Sequence, residues 1–216
     1  MVIISIEGNI GSGKSTLLDV LTQLSFDKPH IVIQEDVKDW VSITDNQNTS
    51  ILEYFYQDKA SFGFTFQTLV VMSRIKHILD TVKQNPDHII LTERTHLTDF
   101  QIFVKSLYEN NIMDEISYLT YSKCHHMLHE LLNLKIDGII YNYASPQTCL
   151  DRIKKRNRKG ESNIKSEYIL ELHDRHNDWL IKQDNLLVID GDVDENDVTT
   201  RNKQIDKIVA FVNKIC

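Results

Sequence analysis

The chain has 216 residues, 41% of them hydrophobic, and a formal charge of −7. A chain of this size buries one sizeable core, so a single domain over 1–216 is expected, and the acidic balance argues against gripping nucleic acid along its phosphates. The three cysteines, Cys124, Cys149 and Cys216, are too scattered for a disulfide framework or a zinc knuckle.

No apolar run approaches the roughly 18 residues of a membrane span. The first apolar stretch is too short for a secretory signal, and no Arg-rich presequence precedes it. No membrane partner is therefore expected, and the expected location is cytoplasmic.

In chain order, the β-branched run at 2–6 predicts a strand that feeds Gly8-Asn9-Ile10-Gly11-Ser12-Gly13-Lys14-Ser15. That octet satisfies G-x-x-x-x-G-K-[ST], and the amphipathic run beginning at Thr16 predicts the helix that must follow such a loop. Glycines let successive backbone N–H groups turn inward around phosphate oxygens at a helix N-terminus. Lys14 is placed to reach the β- and γ-phosphates of ATP, and the Ser15 hydroxyl to ligate Mg²⁺.

A second strand at 30–34 ends on Glu35-Asp36, residues 42–49 read as irregular, and 50–84 as helical. Two helices are expected in that last stretch, meeting near Ser61-Phe62-Gly63. A third strand at 88–92 ends on Glu93-Arg94-Thr95. One helix carries His125, His126 and His129; lacking a third ligand with suitable spacing, they are read as a helix surface or dimer interface. Trp40 and Trp179 are read as packing residues.

The fourth strand, at 137–141, leads to Ser145-Pro146, a serine cap with proline at the first helical position. That helix runs into six basic residues among the eight at 152–159. Arg152 and Arg156 lie one turn apart on one face. A fifth strand is expected at 186–189. Continuous apolar strands separated by helical intervals give an α/β fold with a five-stranded parallel sheet flanked by helices.

In such a sheet, ligands bind beyond the carboxyl ends of the strands, where Glu35 and Glu93 both fall. One acid near an acceptor hydroxyl, one near Mg²⁺ and arginines over the transferring phosphate are what phosphoryl transfer asks of a protein.

Taken together, these pieces resemble the deoxycytidine/deoxyguanosine kinase family of deoxynucleoside kinases over nearly the whole chain. The resemblance is carried by Ile6-Glu7-Gly8-Asn9-Ile10, Phe64-Thr65-Phe66-Gln67-Thr68, Ser73-Arg74-Ile75, Glu93-Arg94 and Asp137-Gly138-Ile139-Ile140-Tyr141. It continues in Thr148-Cys149-Leu150-Asp151-Arg152-Ile153, Glu167-Tyr168, Leu172-His173 and Trp179-Leu180. It implies a P-loop kinase that phosphorylates the 5′-hydroxyl of deoxynucleosides with ATP and Mg²⁺ in nucleotide salvage.

The resemblance makes Glu35 the general base, Arg94 the arginine beside the acceptor oxygen and Glu93 the acid near Mg²⁺. Gln67 is matched to the base edge with Phe66 beside it, Tyr56 and Glu161 to the sugar 3′-OH, and Arg152, Arg156 and Arg158 to an arginine lid at about 152–162. It also implies a homodimer formed through a helix bundle.

The chain departs from the family pattern in places, mildly at Thr95, which stands for a serine after Glu93-Arg94, and more consequentially elsewhere. Asp36 replaces a family proline, and a second carboxylate there is expected to raise the Glu35 pKa. Asn157 replaces a glycine between lid arginines, which leaves that turn open. At 190–198, where the donor base is expected, the match is too loose to carry residues over.

Two rival functions fit less well. A monophosphate-accepting kinase would want cations where Glu35-Asp36 stands. A GTPase switch would need N-K-x-D after a strand, and Asn142-Tyr143 does not supply it.

For substrate choice, Gln67, Val70 and Arg74 fall at i, i+3 and i+7 and so share one helix face. In the resembled family an arginine and an aspartate at the positions of Arg74 and Asp99 accompany use of deoxycytidine and purine deoxynucleosides over thymidine. A carboxylate can accept from the exocyclic amine of cytosine or adenine but meets a carbonyl in thymine.

Overall fold

The computed structural model describes residues 1–194 and 196–216, apart from the side chain of Ser162. Five strands form one all-parallel sheet: β1 (Val2–Glu7), β2 (His30–Ile33), β3 (Ile89–Glu93), β4 (Gly138–Tyr143) and β5 (Leu186–Asp190). Their spatial order is β2-β3-β1-β4-β5. The α/β architecture expected from the alternation of runs is therefore observed.

β1 is central, and alternate side chains leave it to opposite faces. Ile4 and Ile6 pack with Leu18 and Leu21 of α1 (Lys14–Leu21) and with Ile208 and Val212 of α10 (Val198–Ile215). Ile3, on the other face, packs with Ile90 and with Ile78 of α4 (Lys59–Gln84). Burial on both faces is why these strands read as unbroken apolar runs.

The chain leaves β1 for the β2-β3 side and later crosses to β4, so the order reverses at the carboxyl end of β1. The phosphate loop begins there.

Four strands run one or two residues past the expected ends, through Glu7, Glu93, Tyr143 and Asp190. Backbone ladders do not require apolar side chains. Glu7 is tolerated at a buried position because Ser5 Oγ and Thr98 Oγ1 both donate to its Oε1.

Between β2 and β3 the chain forms α2 (Val37–Ser42), which the sequence did not announce, then α3 (Ile51–Gln57) and α4. The irregular stretch expected at 42–49 survives as a turn closed by the isolated Thr44–Ser50 bridge. The expected junction at Ser61-Phe62-Gly63 is wrong. Asp58 ends α3 and caps α4 by accepting from Ser61 N at 3.1 Å, so Gly63 lies inside the helix. A Cβ on Gly63 would come within 3.1 Å of Leu107 Cδ1, so the glycine allows close packing rather than breaking the helix.

After β3 come α5 (His96–Thr98), a π-helical turn at Asp99–Val104, α6 (Lys105–Glu109) and α7 (Glu115–Leu132). The surface reading of the α7 histidines fails for His125, which is buried against Phe100 with ring centroids 4.6 Å apart. Its Nε2 lies 3.0 Å from the His96 carbonyl, and His129 Nδ1 lies 3.0 Å from His96 Nε2. Only His126 and His129 face solvent. Among the described residues no group of three or more His, Cys, Asp or Glu side chains is arranged to hold a metal ion.

Trp40 packs edge-on to Phe66 at 5.7 Å, and Trp179 packs against apolar neighbours. Both match the packing reading, although Trp40 also borders the cavity described below.

β4 leads to α8 (Pro146–Arg156), capped as expected by Ser145, whose Oγ accepts from Thr148 N. Asn157 then takes φ 48° and ψ 44°. The left-handed turn that a glycine would supply is thus present, because asparagine tolerates that region better than most side chains. A 3₁₀ turn (Glu161–Asn163) and α9 (Ser166–Leu180) precede β5.

Ile78 anchors α4 to the sheet and is 1% exposed, while the neighbouring Lys76 side chain is 79% exposed. Ile78→Ala should lower the unfolding free energy by about 2–5 kcal/mol, and Lys76→Ala should change it by less than about 0.5 kcal/mol. Urea titrations of both variants check this.

Candidate active site

A cavity of about 880 Å³ opens along the carboxyl ends of the strands. The phosphate loop, β2–α2, the inner face of α4, β3–α5, α8 and the start of α10 all contribute to its walls.

Gly8, Gly11 and Gly13 all have positive φ, the backbone freedom a phosphate cradle requires. Asn9 ties the loop to α9 through Nδ2 to the Ile169 carbonyl at 2.8 Å, and its Oδ1 accepts from Ile10 N. Lys14 is 4% exposed; its Nζ donates to the Asn9 carbonyl at 2.8 Å and lies 3.8 Å from Glu93 Oε1. Burial, with Arg94 nearby, brings the Lys14 pKa down to about 8, against the pull of Glu93 and Glu35. A ligand oxygen with negative charge would relieve that cost. Ser15 Oγ donates to Glu93 Oε2 at 3.1 Å, so a hydroxyl and a carboxylate stand together beside the loop. Thr16 and Ile10 also line the cavity.

Opposite the loop, Glu35 Oε1 accepts from Arg94 Nη1 at 2.7 Å and from Arg74 Nη2 at 2.8 Å. Burial pushes this carboxyl up, but Arg94, Arg74 and Lys14 together outweigh burial and hold it well below the usual carboxylate range. The expected rise driven by Asp36 is therefore wrong. The Asp36 carboxylate turns away to cap α2, accepting from Asp39 N at 3.1 Å.

Arg94 is held at φ 63°, a left-handed conformation uncommon for arginine, of the kind that surrounding structure must impose. Its Nη2 donates to the Gly8 carbonyl at 3.2 Å, and its guanidinium lies 5.0 Å from the Phe103 ring centre.

Gln67, Val70 and Arg74 are buried on one face of α4 and line the cavity, as their spacing implied. Arg74 grips Asp99 in a two-pronged pair, with Nε to Oδ2 at 2.9 Å and Nη2 to Oδ1 at 3.2 Å. Its Nη1 donates to the Glu93 carbonyl at 2.6 Å. Burial disfavours this guanidinium, yet Asp99 and Glu35 more than restore its charge. Gln67 Oε1 is buried without a hydrogen-bond partner, and the residue lines the cavity. Phe66 closes the same wall.

At the far side Glu161, 4% exposed, accepts from Arg156 Nη2 at 2.7 Å and from Arg158 Nη1 at 3.1 Å. Burial pushes the Tyr56 phenol up, with the Glu161 charge adding to the rise, and both residues line the cavity. Arg152 Nη1 instead donates to the Ser12 carbonyl at 3.0 Å.

Every residue singled out from the sequence for this site borders the cavity except Gly8 and Asn9, which shape the loop beneath it. Sequence reasoning gave no site role to Trp40, Phe103, Tyr168, Arg201, Gln204 and Asn142, which also line it. Asn142 carried a usable signal, a polar residue ending an apolar strand beside the phosphate loop. In the loosely matched segment at 190–198, Asp190, Gly191 and Val193 line the cavity, and Glu195 lies outside the described residues.

Comparison with known proteins agrees with this geometry. The family model for deoxynucleoside kinase matches residues 4–216. A protein of Fowlpox virus named "Probable deoxycytidine kinase" is 33% identical over 98% of this chain and 88% of its own length. The human deoxycytidine kinase is 35% identical over 82% of this chain and 75% of its own. The mitochondrial deoxyguanosine kinase of Xenopus laevis is 34% identical over 83% and 73%. With the glycine loop lining this cavity, and with relatives of this kind along nearly its whole length, the chain belongs to the deoxynucleoside kinase family and is a deoxynucleoside kinase that uses a nucleotide as phosphate donor.

Proposed function

We propose that the enzyme transfers the γ-phosphate of ATP to the 5′-hydroxyl of deoxycytidine or a purine deoxynucleoside in preference to thymidine, as a step of nucleotide salvage. The carrying observation is the buried Arg74–Asp99 pair beside the unpartnered Gln67 Oε1. In this reading the single domain spans 1–216, and the end of α8 with the turn after it, about 152–162, serves as the lid.

The deoxynucleoside base lies against α4, with Gln67 and the Arg74–Asp99 pair at its polar edge and Phe66 and Val70 beside it. Tyr56 and Glu161 hold the sugar 3′-OH. The 5′-OH then falls between Glu35 and Arg94, pointing toward the phosphate loop. Glu35 orients this hydroxyl and receives its proton as the bond to phosphorus forms. A carboxylate held at low pKa by two arginines is a weak base, which suits a loose transition state in which the proton leaves late. Arg94 stays beside the acceptor oxygen, and Lys14 with Arg152, Arg156 and Arg158 offsets charge on the phosphates.

Ser15 and Glu93 offer the hard oxygen donors that Mg²⁺ prefers and would hold it beside the loop. Bound there, the ion would supply charge neutralisation for the transferring phosphate.

We also propose a homodimer. α7 packs beside α4, and the two helices leave Met72, Leu79, Ile116, Leu119, Met127 and Leu131 exposed. A bundle with a second copy would cover them. A cytoplasmic setting suits the three free cysteines.

Three measurements test these readings. Glu35→Gln keeps the side chain's size but cannot take the proton, so kcat should fall by about 10²–10⁴ while nucleoside binding persists. Near-normal kcat would move the base elsewhere.

Comparing kcat/KM across the four natural deoxynucleosides should put deoxycytidine or deoxyadenosine at least about tenfold above thymidine. 2′,3′-Dideoxycytidine should fall roughly tenfold below deoxycytidine. Arg74→Met with Asp99→Ala should move the preference toward thymidine; thymidine as the best substrate of the unmutated enzyme would sink the assignment.

Light scattering should give twice the chain mass, and Leu119→Glu should give the monomer. A monomeric parent would end the dimer proposal.

A further inference from the structure

We infer that Asn142 is a positioning residue for the donor triphosphate, acting through the peptide between Ser12 and Gly13. This rests on the reading that the glycine loop cradles the donor's phosphates.

The Ser12 carbonyl accepts two side-chain hydrogen bonds, from Asn142 Nδ2 at 2.8 Å and from Arg152 Nη1 at 3.0 Å. A trans peptide is planar, with its C=O and N–H pointing in opposite directions. Holding the Ser12 oxygen toward Asn142 of β4 and Arg152 of α8 therefore aims the Gly13 N–H away from both, and on this inference toward the phosphate oxygens. The fixing matters because Gly13 at φ 94° has little intrinsic preference among peptide orientations. Two donors on the oxygen also polarise the peptide and strengthen its N–H as a donor.

The two donors are not equivalent. Arg152 is long, half-buried and borders the cavity, so its guanidinium has the reach to leave the carbonyl for a bound phosphate. Asn142 has no such freedom. It is 6% exposed at the end of β4, wedged between two glycines. A Cβ on Gly8 would come within 2.7 Å of the Asn142 carbonyl, and one on Gly191 within 2.9 Å of Asn142 Oδ1. Asn142 is the fixed donor that keeps the cradle in shape while Arg152 is elsewhere. Its contact with Gly191 also joins the loop to the segment where the donor base is expected.

The test uses Asn142→Asp, which keeps the shape but cannot donate from that position, and Asn142→Ala, which removes the group. For both, KM for ATP with Mg²⁺ should rise at least tenfold, while KM for the deoxynucleoside stays within twofold and the melting temperature of the nucleotide-free protein holds. Calorimetric titration of a non-hydrolysable ATP analogue into the unmutated enzyme separates the two layers of the argument. No binding there would overturn the loop reading itself. Binding by the parent with unchanged ATP KM in both Asn142 variants would overturn this inference alone. A parallel rise in both KM values with a lower melting temperature would reduce Asn142 to a structural role and overturn it equally.

Discussion

The active site is organised around one carboxylate oxygen, Glu35 Oε1, which receives guanidinium groups from both Arg74 and Arg94. All three side chains are largely or wholly withdrawn from water. Charges buried this way are costly unless fully paired, and removing one member of such a set typically costs about 3–5 kcal/mol. The network therefore constrains every element it joins. Arg74 comes from the middle of α4, Glu35 from the end of β2, Arg94 from the end of β3 and Asp99 from the π-helical turn. Moving any one of them would leave a buried charge unpaired.

The same network connects recognition to chemistry. Arg74 holds Asp99 with one side of its guanidinium and Glu35 with the other, and it caps the Glu93 carbonyl. The group proposed to read the base is thus rigidly attached to the group proposed to handle the 5′-OH proton. A nucleoside whose base sits badly against Asp99 would also misplace its hydroxyl at Glu35. Discrimination of this kind appears in kcat as well as in KM.

The donor side is held differently. In the proposed reading, backbone N–H groups and Lys14 meet the phosphates, and other side chains act by orienting peptides. Asn9 fixes the loop's entrance from α9, and Asn142 fixes its middle from β4. The arginines proposed for the phosphates are paired within the protein: Arg152 with the Ser12 carbonyl, and Arg156 and Arg158 with Glu161. Glu161 thus links the proposed sugar pocket to the proposed lid.

Much of this was legible in the sequence, and the legible part is the part carried by local rules. Five apolar runs announced five strands, and at the sheet centre, where β1 and β3 are buried on both faces, no polar alternation remains. The glycine pattern announced the cradle, since few other residues take those backbone angles. The i, i+3, i+7 spacing placed Gln67, Val70 and Arg74 on one face because a helix has a fixed pitch.

What failed was whatever depended on partners distant in the chain. Gly63 read as a break, but it is filled by Leu107. His125 read as a surface group, but Phe100 and the His96 carbonyl bury it. Asp36 seemed placed to raise the pKa of Glu35, yet the direction was set by Arg74 and Arg94, 39 and 59 residues further on. The sequence by itself determined the strands, the loop and which residue types stand at the strand ends. Only the tertiary structure decided which charges face one another, because a pKa, an ion pair or a peptide orientation follows from distance in space and sequence spacing fixes that only within a single element.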